Sequence, residues 1–367
     1  MTANADYSVL VAPAAFKGTM GPGSVSAAML QGVRRALPDA RVVLRPVSDG
    51  GNGLLEVCQA LEGGALQTVE VGGPRGQPVQ ARWLRRGSAA VIETAEACGL
   101  HLLPPQERDP LLASTRGVGE LVLAALRGGA SEIVLGLGGS GTVDGGTGMA
   151  RALGWRFADA AGTPLPEGGG SLKNLHRIEP PADAPAARVE ALCDVDNPLT
   201  GPRGAARVFA PQKGAGPADV EILESGLARL AEVLESQFGR PVAESPGSGA
   251  AGGLGAGARA FLGARLVRGA DWMFERAGLA EQLRAASLVI TGEGRFDAQS
   301  QMGKVTGRVV EAARAAGLPV LLVCGRVDGA VPAGVTVRDA GGRILTAEDI
   351  AGLTYAGCRA LAGGDRL

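Results

Sequence analysis

Histidine is almost missing from this chain: His101 and His176 are the two among 367 residues. A histidine-rich metal centre or a Ser-His-Asp triad would have little to draw on. Cysteine is sparse as well. Cys58, Cys98, Cys193, Cys324 and Cys358 are odd in number, scattered, and include no Cys-x-x-Cys pair. That pattern argues against a disulfide framework and fits thiols packed in a core in a reducing cytosol. Charge is nearly balanced, with a net value of -1, so no basic footprint marks a nucleic-acid partner. No apolar run approaches the ~18 residues of a membrane span, and Met1 to Asp6 lack signal-peptide character. Together these absences predict a cytoplasmic protein with neither nucleic acid nor membrane as partner, and they leave a homo-oligomer open.

What remains for chemistry is carboxylates, lysines, arginines and backbone N–H groups, the parts of phosphoryl transfer with Mg²⁺. Glycine is plentiful at 59 residues, about double the ordinary ~7% share. The densest cluster organises the chain. Ile133 to Leu137 reads as a buried strand, glycines follow at 138, 139, 141, 145, 146 and 148, and a helical pattern begins at Met149. Strand, glycine turn and helix suit a phosphate, because glycines let the backbone approach an anion and a helix start offers free N–H groups. Ser140 and Thr142 add hydroxyls. Asp144 adds a carboxylate, which repels a triphosphate unless a cation bridges the two. The same stretch has two other readings. One is a glycine turn needed only for tight packing. The other is a dinucleotide fingerprint, Gly136-x-Gly138-x-x-Gly141 with Asp159 about 18 residues on, which would make the chain an NAD-dependent oxidoreductase.

The rest of the chain weighs on that choice. Ser8 to Ala12 reads as a strand followed by Phe16-Lys17-Gly18, and Ser24 as the cap of a helix from Val25 to Leu37. Arg41 to Val47 is a second strand, ending in Ser48-Asp49-Gly50-Gly51, with a helix to Leu61. Ligands collect at the carboxyl ends of such strands, so Lys17 and Asp49 are candidates, though either fits a surface or turn position. Short alternating runs at 68–71, 79–84 and 89–93 read as antiparallel strands. Thr115 and Arg116 precede a helix, where they could hold an anion or simply cap it.

Residues 159–188 read as a loop or small excursion. Then Ala191 to Pro198 carries Asp194 and Asp196 at i and i+2, which face one way on an extended segment. Two such carboxylates call for a cation or a shared proton between them. Arg203 and Lys213 sit in glycine-flanked basic segments, and Pro217 to Phe238 is a long amphipathic helix. Pro246 to Gly255 is a second glycine-rich loop, suited to a hinge, a close-packing turn or an anion cradle. Ser287 to Ile290 returns to the strand pattern and ends in Thr291-Gly-Glu293-Gly-Arg295-Phe-Asp297, with a helix to Ala316 beyond. Pro319 to Cys324 and Arg343 to Leu345 read as further strands. Gly303-Lys304 is no P-loop, since Val305 stands where Ser or Thr is needed.

Strand–helix alternation at both ends, with a different pattern between, predicts two α/β domains. One is a Rossmann- or flavodoxin-like parallel-sheet domain from 1–70 and 287–367. The other is an inserted domain with a mixed sheet, 71–286. A ligand is expected in the cleft between them.

Taken together, these residues resemble the bacterial glycerate kinases, of the type associated with 2-phosphoglycerate. The resemblance is carried by Phe16-Lys17-Gly18, Ser48-Asp49-Gly50-Gly51, Asp109-Pro110 with Thr115, and Gly138-Gly139-Ser140 through Asp144-Gly145-Gly146. It continues in Asp194-Val195-Asp196-Asn197-Pro198, Gly201-Pro202-Arg203-Gly204, Pro211-Gln212-Lys213-Gly214, Gly249 to Gly253, and Thr291 to Arg295 with Asp297 and Gln299. These blocks run in order from 16 to 304. The chain departs from the family pattern at Asn52 and Leu54, where Glu and Thr are usual, and at Ala210, Ser300 and Val305.

The resemblance implies transfer of the ATP γ-phosphoryl group to a hydroxyl of D-glycerate, at C2, with Mg²⁺ as cofactor. On that footing Asp194 is the expected base and Lys17 a second catalytic group. Asp49, Gly138, Gly139, Ser140, Asp144, Thr115, Arg203, Lys213 and Arg295 would bind substrate or phosphate, and Asp196, Glu293 and Asp297 would hold the metal. The oxidoreductase reading is weaker, because Asp144 would sit beside the pyrophosphate. A non-catalytic relative is the third reading, which the Asn52 and Leu54 departures allow. No histidine has a part in this scheme. His101→Gln and His176→Gln should therefore each keep most of kcat, and a folded variant with a collapsed rate would show the chemistry to be misassigned.

Overall fold

The computed structural model describes residues 7–16, 18–183, 186–301 and 303–363. The chain divides into two compact units, Met1–Glu62 with Gly269–Leu367, and Gly63–Arg268. The first is α/β with a five-stranded sheet, all of it parallel. Its strands lie in the order Val335–Asp339, Val320–Val327, Leu288–Phe296, Ser8–Val11 and Arg41–Leu44. Such a sheet is covered on both faces, and its strands read as unbroken apolar runs for that reason. Val9, Leu10 and Val11 are buried, as is every residue from Val320 to Cys324.

The expected strand at Arg343–Leu345 is not there. Val335–Asp339 takes the edge position instead, and Ile344 is 83% exposed beyond the Gly341–Gly342 turn. Two apolar residues after an arginine are too few to tell a strand from a loop. Nor does Ser24 cap the first helix, which runs Pro22–Ala36 from Gly21. Proline at the first helical position loses no hydrogen bond and brings a φ suited to the helix.

The second unit has a six-stranded mixed sheet, ordered Arg265–Val267, Arg188–Leu192, Glu132–Gly136, Ala89–Glu93, Pro78–Arg86 and Ala65–Gly72. The first four are mutually parallel and the last two pair antiparallel. Ala65–Gly72 belongs here because it pairs with Pro78–Arg86 along its whole length, from Ala65 opposite Arg85 to Gly72 opposite Pro78. The helices Gly269–Arg276 and Leu279–Ala285 fall in the first unit. The excursion after Asp159 is ordered: Arg177–Glu179 pairs with Arg156–Ala158, and a 3₁₀ segment spans Gly169–Asn174. Helix Pro217–Phe238 sinks Leu223, Leu227, Leu230 and Leu234 into the core. Trp155 meets Phe238 and Phe261 edge-on there, with centroids 5.8 and 5.0 Å away. Among the described residues no helix is long and apolar enough to cross a membrane.

One close approach in the first unit depends on a missing side chain. Helix Pro22–Ala36 packs on helix Ala347–Gly363 at Gly32, where a Cβ would lie 2.4 Å from the Ala351 carbonyl oxygen and 2.7 Å from Thr354 Cβ. Alanine's better helix propensity is worth ~1 kcal/mol, while forcing packed helices apart costs about 1–3 kcal/mol. Gly32→Ala should therefore lower the urea midpoint with an unchanged m-value, and a raised midpoint would show that the helices part freely.

Candidate active site

In the second unit, the glycine loop leaves the end of strand Glu132–Gly136, and the Asp194 segment leaves the end of its parallel neighbour, Arg188–Leu192. The two strands are in register up to Gly136 opposite Leu192, and Leu137 N–H donates to Leu192 O at 3.2 Å. The two segments thus emerge side by side, at the strand ends where α/β proteins bind ligands. Asp194 is half-buried and Asp196 exposed, on an irregular segment rather than an extended one. Burial, with both carboxylates contributing, pushes the neighbouring Cys193 thiol up to about 11.

The glycine loop has two parts. Gly138 is half-buried and Gly139 exposed, with φ +78°. Leu100 N–H donates to Gly139 O at 2.9 Å and Gly141 N–H donates to Cys98 O at 2.7 Å, which pins the turn at both ends. Among the described residues, none accepts from the N–H groups of Gly138, Gly139 or Ser140. Consecutive unsatisfied N–H groups around a positive-φ glycine form an anion-binding concavity.

From Gly141 to Ala150 every residue is buried. Asp144 is fully enclosed, and its carboxylate accepts from Thr115 N–H at 2.8 Å, Thr115 Oγ1 at 2.8 Å, Gly146 N–H at 3.1 Å and Gly148 N–H at 3.1 Å. Thr115 Oγ1 also accepts from Met149 N–H at 2.9 Å. Burial pushes the Asp144 carboxyl up, and the four donors pull against it. Both residues were expected on phosphate; the structure gives their polar atoms to the protein. They anchor the starts of helices Thr147–Ala152 and Arg116–Arg127 to one carboxylate. That geometry also removes the basis of the dinucleotide reading, since Gly141 N–H is spent on Cys98 and Asp144 occupies the helix start.

Lys213 is likewise interior at 2% exposure, and Nζ donates to Ser140 Oγ at 2.9 Å and Thr142 O at 2.8 Å. Burial pulls this lysine down to about 8, against the opposing charges of Cys98 and Asp144. The second glycine-rich loop is a close-packing turn beneath the first. Ala251, Gly252 and Gly253 all have positive φ. A Cβ on Gly252 would lie 2.0 Å from Thr142 O, and Gly145 N–H donates to Gly252 O at 3.1 Å. Arg203 is exposed, and its carbonyl accepts from Asn197 Nδ2 at 2.7 Å.

The first unit gathers its own candidates at the carboxyl edge of the parallel sheet. Ala14 N–H donates to Gly292 O at 2.9 Å, Thr291 Oγ1 to Ala12 O at 2.7 Å, and Val47 N–H to Pro13 O at 3.0 Å. The segments leading to Lys17, Asp49 and Glu293 are thereby tied together; Lys17 itself lies outside the described residues. Asp49 Oδ1 accepts from Gly51 N–H at 3.1 Å, and Glu293 is half-buried. Asp297 Oδ1 accepts from Ser300 N–H at 3.2 Å. Arg295 pairs with Asp328 at 2.6 Å, a partner the sequence pattern did not flag. Asp328 also accepts from Arg326 Nε at 2.6 Å. Also unflagged was Glu167, which accepts from Ser114 Oγ at 2.7 Å and Arg116 Nε at 2.6 Å. It lies in the Pro/Gly-rich excursion, where no periodicity marks a partner. Of the departures, Leu54 is fully buried as the first residue of helix Leu54–Glu62, and Asn52 is exposed.

Lys213 has a measurable consequence. Its native pKa of about 8 lies below its ordinary 10.5, so between those values the unfolded chain holds a proton that the native chain lacks. Stability then rises with pH for this group. Urea unfolding of wild type should gain on Lys213→Met from about pH 8 to 10.5, and a constant difference across that window would show that Lys213 titrates normally.

Comparison with known proteins gives one answer. The glycerate kinase family model matches residues 9–340. The chain is 43% identical over 323 residues to a glycerate kinase of Halalkalibacterium halodurans, covering 86% of this chain and 85% of the relative. It is 42% identical over 322 residues to the glycerate 2-kinase of Escherichia coli, with 86% and 84% covered. A solved structure described as a putative glycerate kinase 2 from Salmonella typhimurium aligns with a TM-score of 0.83 at 37% identity, covering 98% of this chain and 100% of that one. With a sheet order, a glycine loop and an aspartate segment arranged as above, and with matches across nearly its whole length, the chain belongs to the glycerate kinase family.

Proposed function

We propose that this chain transfers the γ-phosphoryl group of ATP to the C2 hydroxyl of D-glycerate, with Mg²⁺ as cofactor and with residues of both units needed for turnover. The observation that carries this reading is the run of N–H groups at Gly138, Gly139 and Ser140 left without acceptors among the described residues at a strand end. Such groups bind phosphoryl oxygens without reorganising when charge develops on them. Asp194, leaving the adjacent strand, is the base that takes the hydroxyl proton, the part a catalytic aspartate has in kinases generally. The choice of C2 follows the name of the Escherichia coli relative.

Mg²⁺ fits the donors present, since hard carboxylate oxygens are its usual ligands and one or two from protein suffice. Among the described residues no three His, Cys, Asp or Glu side chains gather as a metal cluster. Asp196 is the first candidate ligand, and Glu293 and Asp297 are the candidates on the first unit. When bound, the ion would offset phosphate charge. Arg203 and Arg295, both exposed guanidinium groups, suit the substrate carboxylate or phosphate. Asp49 and Lys17 complete the set on the first unit. A cytoplasmic site of action fits the five free thiols.

Asparagine at 194 keeps the shape and removes the base. General-base removal costs typically 10²–10⁴-fold, so Asp194→Asn should lower kcat by at least about 100-fold while ADP–Mg²⁺ affinity stays within about twofold. Wild-type kcat in that variant would reject Asp194 as the base. ³¹P NMR of the product decides between the two hydroxyls, and 3-phosphoglycerate would overturn the C2 assignment.

A further inference from the structure

Lys213 stands apart from the other basic residues. Of the 36 lysines and arginines four are lysines, at 17, 173, 213 and 304. In a chain that leans so far toward arginine, a buried lysine is notable, because its compact ammonium is more strongly hydrated than a guanidinium. Burying that charge costs several kcal/mol unless something offsets it, and the carboxylate that acts on it, Asp144, is already engaged by four donors. The ammonium's own partners are neutral, Ser140 Oγ and Thr142 O. So a costly charge is kept directly beneath the loop, and its hydrogen bonds go to the loop. At 2% exposure it is closed to a solvent-borne anion.

We infer that Lys213 is a positioning residue for phosphoryl transfer: it fixes Ser140 and Thr142 so that the N–H groups of Gly138, Gly139 and Ser140 stay assembled as one cradle, with a positive charge below them, and it does not touch the phosphate. This rests on the reading of that loop as the phosphate site. It changes the role expected of Lys213 from ligand to support, and it extends the site into the Pro211–Lys213 turn, of which Lys213 is the buried member.

The test is calorimetric titration with ADP–Mg²⁺, together with amide hydrogen exchange over residues 138–142, on the full chain. Lys213→Met should bind ADP at least tenfold more weakly and exchange those amides at least tenfold faster, with unchanged circular dichroism. Ser140→Ala should move both readouts the same way by less, and the double variant should be no worse than Lys213→Met. Lost affinity with unchanged exchange would mean that Lys213 contacts phosphate directly, which overturns the positioning role. Affinity within twofold of wild type in folded Lys213→Met overturns it outright. If that variant does not fold, unchanged affinity and exchange in Ser140→Ala does the same. Gly139→Val, which forbids the φ of +78°, probes the underlying reading. Normal ADP binding there removes the phosphate site itself, whereas weak binding there with normal Lys213→Met isolates the failure to Lys213.

Discussion

A carboxylate taken out of water survives only if its lone pairs are met, and Asp144 shows how much structure that demand can fix. Its four donors come from two places in the chain, Thr115 on one side and Gly146 with Gly148 on the other. Thr115 passes the connection on to Met149. Helix Thr147–Ala152 has six residues, far short of the ~12–15 that make an isolated helix marginal in water. It is held at its start by this anion and beneath by the second glycine loop. The glycines follow from the same demand: a Cβ on Gly148 would lie 2.2 Å from Ser114 Oγ, and one on Gly257 would lie 2.5 Å from Gly145 O. Most of the glycine-rich stretch is therefore interior scaffold, and only its first turn is open for a ligand.

The two units use one physical arrangement twice. Each places its candidate residues just past the carboxyl ends of adjacent parallel strands, where the next backbone segments are tied mainly by main-chain bonds, with Thr291 Oγ1 on Ala12 O as a side-chain addition. In the second unit the tie is Leu137 to Leu192, and in the first it is Ala14 to Gly292 and Val47 to Pro13. Main-chain ties fix where a loop leaves the sheet without constraining which side chain it bears. Exposed groups such as Arg203 and Asp196 then differ from buried ones such as Lys213 in what they can touch, although all three sit in motifs of similar look.

The architecture was legible because a covered parallel sheet leaves unbroken apolar runs and an antiparallel one leaves alternation. Pro217–Phe238 was readable in its approximate extent, since its apolar stripe runs through it. Short elements were not, and Arg343–Leu345 failed because three residues carry no period. The site was half legible. Glycine, serine and aspartate in a turn say that anions matter, but the pattern cannot distinguish a bound phosphate from the protein's own carboxylate. Asp144 looked like a phosphate neighbour and is instead the anion that the helix start holds. Glu167 and Asp328 went unseen because Arg116 is distant in sequence and Arg295 lies on a neighbouring strand, although Arg326 stands two residues before Asp328.

The first unit is made of both ends of the chain, and its sheet pairs Val9 with Leu288 and Val11 with Ile290. A ribosome delivers the first of these strands long before its partner. At ~5–20 residues per second, more than ten seconds pass between them. The contiguous unit, Gly63–Arg268, is complete in the meantime and can fold on the way out. The amino-terminal strand can pair early with Arg41–Leu44, but its other edge must wait for Leu288–Phe296, which makes this segment the one most in need of a chaperone during synthesis.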